Sequence, residues 1–109
     1  MFYKSDSAGY REAVEKVWFK TLVYGERTLL GRFRLEKGAK VPVHKHPQEQ
    51  TGYLVSGQLD FVIGDERFDA RPGDSWSIPA SVGHGAEALE DTIVIEVFSP
   101  VREDYLPDK

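Results

Sequence analysis

Glycine and proline cut this chain into pieces too short for long helices. Gly25, Gly31, Gly38, Gly52, Gly57, Gly64, Gly73, Gly83 and Gly85 recur along it, with Pro42, Pro47, Pro72 and Pro79 between them. Many short segments separated by frequent turn signals predict an all-β sandwich or barrel. The residues between the breaks alternate. Leu59, Phe61 and Ile63 are spaced by two, as are Ile93, Ile95 and Val97, and Leu29, Gly31, Phe33 and Leu35. A period of two puts each set on one face of a strand. The segments around Gly57 and around Gly64-Asp65 read as hairpin turns, where glycine supplies positive φ. One segment carries the opposite signal. Tyr10, Val14, Val17 and Trp18 follow helical spacing; the all-β context favours a strand over residues 15–23 instead.

Size and charge narrow the function. A chain of 109 residues is read as one domain, residues 1–109. The net charge of −4 disfavours a general nucleic-acid binder, because phosphate binding is driven by clustered positive charge. The absence of cysteine excludes disulfides and thiolate metal sites and fits a cytoplasmic setting. The opening MFYKSDSAGY lacks the apolar region of a signal peptide. No apolar run approaches the ~20 residues needed to span a bilayer, so no membrane partner is expected.

The stretch VPVHKHPQEQTGYLVSG, residues 41–57, carries the chemistry. His44 and His46 share a parity, so on an extended segment both imidazoles point to one face and can chelate one divalent ion. The alternative is a pair of exposed polar residues at a strand end. Gln48, Glu49 and Gln50 follow, and Glu49 is the one carboxylate among them. Adjacent strand residues face opposite ways, so Glu49 and Gln50 cannot both face an ion.

The spacing Gly38-x5-His44-x-His46-x3-Gln50-x6-Gly57 resembles the first motif of the cupin superfamily, and Gly73-x5-Pro79-x4-His84 resembles the second. Glutamate is usual at the Gln50 position, glycine at Ser81 and asparagine at Ala88. The resemblance covers about residues 15 to 105. It implies a small antiparallel jelly-roll barrel with a metal inside, held by His44, His46, Gln50 and His84. Glu49 would then lie outside or behind a ligating histidine. The ion would be one divalent transition metal; Ni, Zn, Mn and Fe all accept such donors. Four neutral ligands leave a 2+ ion its full charge, which favours polarising a substrate oxygen.

HKHPQEQTGYLVSG, PGDSWSIPASVGHGAEALEDT and EVFSPVREDYL together resemble the KdgF family of small pectin-degradation cupins. That family has HxHPxEQ, PGDxWxIPxxxxH and DVFSPxREDY, and linearises unsaturated monouronates from pectin or alginate to open-chain keto-uronates. The resemblance implies a small anionic sugar-acid substrate, with Glu96 and Arg102 catalytic and Phe98 and Arg102 binding substrate. Glu96 stands where the family has aspartate, one methylene shorter. Glu96 and Phe98 share a parity, so the Ile93, Ile95 and Val97 set should face away from the cavity. Arg34 is expected to bind substrate, with Arg32 of like parity adding positive charge at the barrel mouth; a solvated face is the alternative for both. Trp76 and Ile78 read as core. A homodimer is expected, with residues 1–14 packing on the partner. Two other functions fit a metal cupin: a metal-dependent dioxygenase, and a non-enzymatic sugar-binding or sensing protein.

Overall fold

The computed structural model describes residues 1–106. Ten strands follow one another: β1 (Arg11–Val14), β2 (Val17–Tyr24), β3 (Leu29–Leu35), β4 (Lys40–His44), β5 (Glu49–Ser56), β6 (Leu59–Ile63), β7 (Glu66–Ala70), β8 (Ser75–Ile78), β9 (His84–Ala88) and β10 (Thr92–Ser99). Among the described residues, helix is confined to one 3-10 turn at Glu103–Tyr105. The strands form a six-stranded sheet, ordered β1-β2-β3-β10-β5-β8, and a four-stranded sheet, ordered β4-β9-β6-β7. Every pairing is antiparallel. This is the expected all-β jelly roll.

The alternation sets which side chains meet between the sheets. Val17, Leu35, Leu54, Ile78 and Val94 face inward from the larger sheet, against Leu59, Phe61, Ala70 and Ala88 from the smaller. Burying such side chains is worth roughly 1.5–3 kcal/mol each, so parity is strongly enforced. Along β10, Thr92, Val94, Glu96 and Phe98 are buried, while Ile93, Ile95 and Val97 are half-buried on the outer face. A second cluster joins Phe19, Leu29 and Phe98 to Val101, Tyr105 and Leu106. The segment after β10 therefore folds back over one end of the sandwich. Arg11 ties it down by donating to the Asp104 carbonyl at 2.6 Å.

One local expectation is refined and one changes. The helically spaced segment is strand, as the all-β context favoured, but with a break before residue 17: β1 and β2 form a hairpin whose turn places Lys16 at φ 68. Val14, one of the helically spaced residues, is exposed. Gly57 does have positive φ, at 97, but it does not make a hairpin. It carries the chain from β5 in the larger sheet to β6 in the smaller. A Cβ at Gly57 would strike the backbone of Asp91 and Thr92. Gly64 makes the β6–β7 hairpin as expected.

Candidate metal centre

Both sheets contribute to the polar cluster. His44 ends β4 and His84 begins β9, and the two are register partners on adjacent strands of the smaller sheet. His46 lies in the connection that leads to β5. Gln50 faces inward from β5 of the larger sheet and is 6% exposed. The three histidines offer ring nitrogens within 4.8 Å of one another.

Each imidazole is oriented by its own stretch of backbone. Nδ1 of His44 bonds to the Pro42 carbonyl at 3.1 Å, that of His46 to the Gln48 carbonyl at 3.0 Å, and that of His84 to the Val82 carbonyl at 3.0 Å. A carbonyl can only accept, so Nδ1 carries the proton and Nε2 is left with a lone pair. That is the arrangement by which outer partners fix a metal-binding histidine. Burial lowers the pKa of His84 to about 4, aided by the nearby His44, His46 and Arg102 charges. His46 is lowered in the same way, by burial first and then by Arg102. Neutral imidazoles at neutral pH are the form a metal needs.

His46 Nε2 and Gln50 Oε1 lie 3.0 Å apart. With Nδ1 protonated, both atoms are acceptors, and two facing lone pairs repel. A cation between them and the other two imidazoles removes that conflict. The donor set of His44, His46, His84 and Gln50 therefore fits a divalent ion. Glu49 is exposed, opposite Ser99 at the sheet surface, and stands outside the cluster. It is the Gln48 carbonyl that orients His46.

A cavity of about 600 Å³ opens beside the cluster. Its walls include His44, His84, Gln50, Glu96, Phe98, and Arg102. Glu96 is 3% exposed, and burial raises its pKa to about 8. It accepts from the Trp76 indole N–H, at 3.1 and 3.3 Å, and the nearby Gln50 amide favours its charged form. An indole N–H can only donate, so a proton on Glu96 is free to turn toward the cavity. Phe98 is buried, with its ring 5.8 Å from that of His46. Arg102 is nearly buried, its side chain 14% exposed. Its guanidinium lies 4.0 Å from the Tyr105 ring and 5.2 Å from that of Phe98, and it holds Asp104 bidentately at 2.7 and 3.2 Å.

Arg34 is a correction. It lies exposed on the outer face of the larger sheet, stacked over Tyr10 at 4.9 Å and Trp18 at 5.9 Å. Its neighbour Phe33 packs inward against both core clusters, and a period of two then sends Arg34 outward. Arg32 shares that face and donates to the Tyr10 hydroxyl at 2.5 Å. Arg11 and Tyr105 line the cavity instead, and the sequence reading did not single them out. Arg11 lay hidden in the helix-like spacing. The signal for Tyr105 was its place beside Arg102. Trp76, read as core, also carries a polar contact into the site.

A family model described as the cupin domain matches residues 31–99. Over 107 residues the chain is 26% identical to the "Pectin degradation protein KdgF" of Dickeya dadantii, covering 96% of this chain and 97% of that protein. The solved structure of KdgF from a Halomonas species superposes with a TM-score of 0.91 at 30% identity, covering 97% of this chain and 100% of that one. An RmlC-like cupin from Shewanella frigidimarina gives the same TM-score at 27% identity, covering 96% and 95%. The jelly roll has these counterparts across nearly its whole length, and the chain belongs to the cupin domain family.

Proposed function

We propose that this protein is a metal-dependent enzyme that linearises 4,5-unsaturated monouronates. The observation that carries the reading is one cavity walled by His44, His84 and Gln50, a buried acid, Glu96, and a cation, Arg102, with His46 completing the cluster of four neutral donors beside it. The similarity to KdgF, whose name assigns it to pectin degradation, supports a uronate substrate. A bound divalent ion would supply Lewis-acid polarisation of a substrate oxygen.

The chain's own residues supply the rest. Arg102 pairs with the substrate carboxylate through a planar fork that matches it. Phe98 and Tyr105 pack against the guanidinium and give the cavity an apolar wall for the sugar ring. Ring opening breaks the bond between C1 and the ring oxygen, moves the C1 hydroxyl proton off, and leaves an aldehyde and an enol. Ketonisation then removes the enol proton and adds one at C4. Protons balance, and no co-reactant is needed. Glu96, kept protonated at neutral pH by burial, delivers the C4 proton as general acid.

The test is direct. Metal-loaded protein is added to unsaturated galacturonate, and the ultraviolet absorbance of the conjugated double bond is followed. The expected result is loss of absorbance well above the buffer rate, without oxygen uptake. No acceleration with the ion bound sinks the proposal. A homodimer completes the reading: Met1, Phe2 and Tyr3 are 108%, 86% and 61% exposed, and a second copy would cover them. Light scattering giving twice the 12.3 kDa chain mass checks this.

A further inference from the structure

Glu96, Gly52 and Trp76 occupy one row across three neighbouring strands. Glu96 on β10 is the register partner of Gly52 on β5, and Gly52 is the partner of Trp76 on β8. Any larger residue at position 52 would stand between the other two. A Cβ there would overlap both the indole nitrogen and a carboxyl oxygen. Glycine lets them meet across the central strand, with the indole N–H 3.1 and 3.3 Å from the two oxygens.

Gln50 lies two residues along β5 on the same inward face. Its amide has two unlike ends. The oxygen end lies 3.0 Å from His46 Nε2, which leaves the N–H end for Glu96 on the neighbouring strand. Turning the amide over would aim N–H donors at the ion's position, where only a lone pair can bind. Nothing within glutamine prefers one orientation. Glu96, held as an acceptor by the Trp76 indole, favours the orientation that turns the N–H end toward it.

We propose that Trp76 is a positioning residue of the metal centre: its indole N–H holds the Glu96 carboxyl in place, and Glu96 fixes the Gln50 amide with its oxygen toward the three histidines. The inference rests on the metal centre of the proposed function and on no step of the reaction. Trp76 does not line the cavity beside the histidines. Its ring packs on Phe61, with centroids 4.8 Å apart, so the side chain also fills space.

Metal-stripped protein is titrated with cobalt(II), read by calorimetry and by the visible spectrum of the ion. Trp76→Phe keeps the aromatic bulk and loses the N–H. Cobalt affinity should fall ~10–100-fold, the usual cost of losing an outer partner, and the visible bands should change as an oxygen donor is lost. The same substitution is then made in a Gln50→Glu background, where the two carboxylate oxygens are equivalent and need no orienting. There the loss should shrink to about twofold or less. A purely space-filling tryptophan would cost the same in both backgrounds. Equal losses, or no loss in the Gln50 background, overturn the proposal. Unfolding of the stripped variants checks that each is folded at the titration temperature. Gly52→Ala parts the same pair by another route and should reproduce the loss if Trp76→Phe proves too unstable. Wild-type protein that binds no cobalt would overturn the metal centre itself, a different result from wild-type binding that Trp76→Phe leaves unchanged.

Discussion

Ser81 stands where the cupin motif usually has glycine, and the backbone shows the consequence. It sits at φ 64, the left-handed region, which is costly for a residue with a Cβ. Its N–H donates to the His46 carbonyl at 2.8 Å, so the strained residue also braces the segment that carries a candidate ligand. Ser81→Gly should raise stability by about 0.5–1 kcal/mol, the strain relieved being partly offset by glycine's larger loss of freedom on folding; urea unfolding measures it. Arg102 makes a contrasting case. Its fork is already shared with Asp104, so a substrate carboxylate meets a partly neutralised cation. Arg102→Ala should raise KM about 10–100-fold, as expected for a lost charge-assisted bond. Asp104→Asn should lower KM, and steady-state kinetics reads both. At this scale the clustering of His44, His46, Gln50 and His84 was legible, through the motif spacing that the chain shares with cupins. The place of Arg34 was not. Parity shows that Arg32 and Arg34 share a face, but the choice of face is made by Phe33 packing against Phe19, with ring centroids 4.7 Å apart, a contact between strands.

Strands were legible where one face is buried and the other is not. β6 and β10 alternate in the sequence as they do in burial. The β1–β2 hairpin was not, since its helical spacing is a coincidence of two strands and a turn. Val14 is exposed, and Trp18 points outward to donate to Glu36 at 2.9 Å. Gly57 shows a related limit. The local chemistry of a positive-φ glycine is the same whether the chain returns to its own sheet or crosses to the other. Glycine inside a strand has a clearer meaning. Gly31 on β3 faces inward, and a Cβ there would press into the Phe19 ring. Gly31→Ala should therefore destabilise the fold by about 1–3 kcal/mol, the usual cost of overpacking. Denaturant midpoints report it, and metal affinity should stay near wild type because Gly31 touches no ligand.

For the molecule as a whole, the buried ionisable groups set opposing pH dependences. Glu96 loses its proton near 4.5 when unfolded and near 8 when folded. Between those values the folded state binds more protons, so stability falls as pH rises. His84 runs the other way. Its pKa drops from 6.5 to about 4 on folding, so stability falls as pH drops through that window. Between 6.5 and 8 the Glu96 effect stands alone. Metal-stripped protein should lose about 2 kcal/mol across that interval, and Glu96→Gln should abolish most of the slope in urea unfolding. Restoring the ion at a thousand times its dissociation constant should add about 4 kcal/mol, a rise in Tm of about 15 °C for a chain this size.

The donors' positions give that last figure a structural meaning. His44 and His84 belong to the four-stranded sheet, and Gln50 belongs to the six-stranded one. An ion held by all of them would be a cross-link between the two layers, closing a loop from residue 44 to residue 84. Clips that close long loops restrict the unfolded chain most. A protein without cysteine would thus have a staple that reducing agents leave intact and a chelator opens.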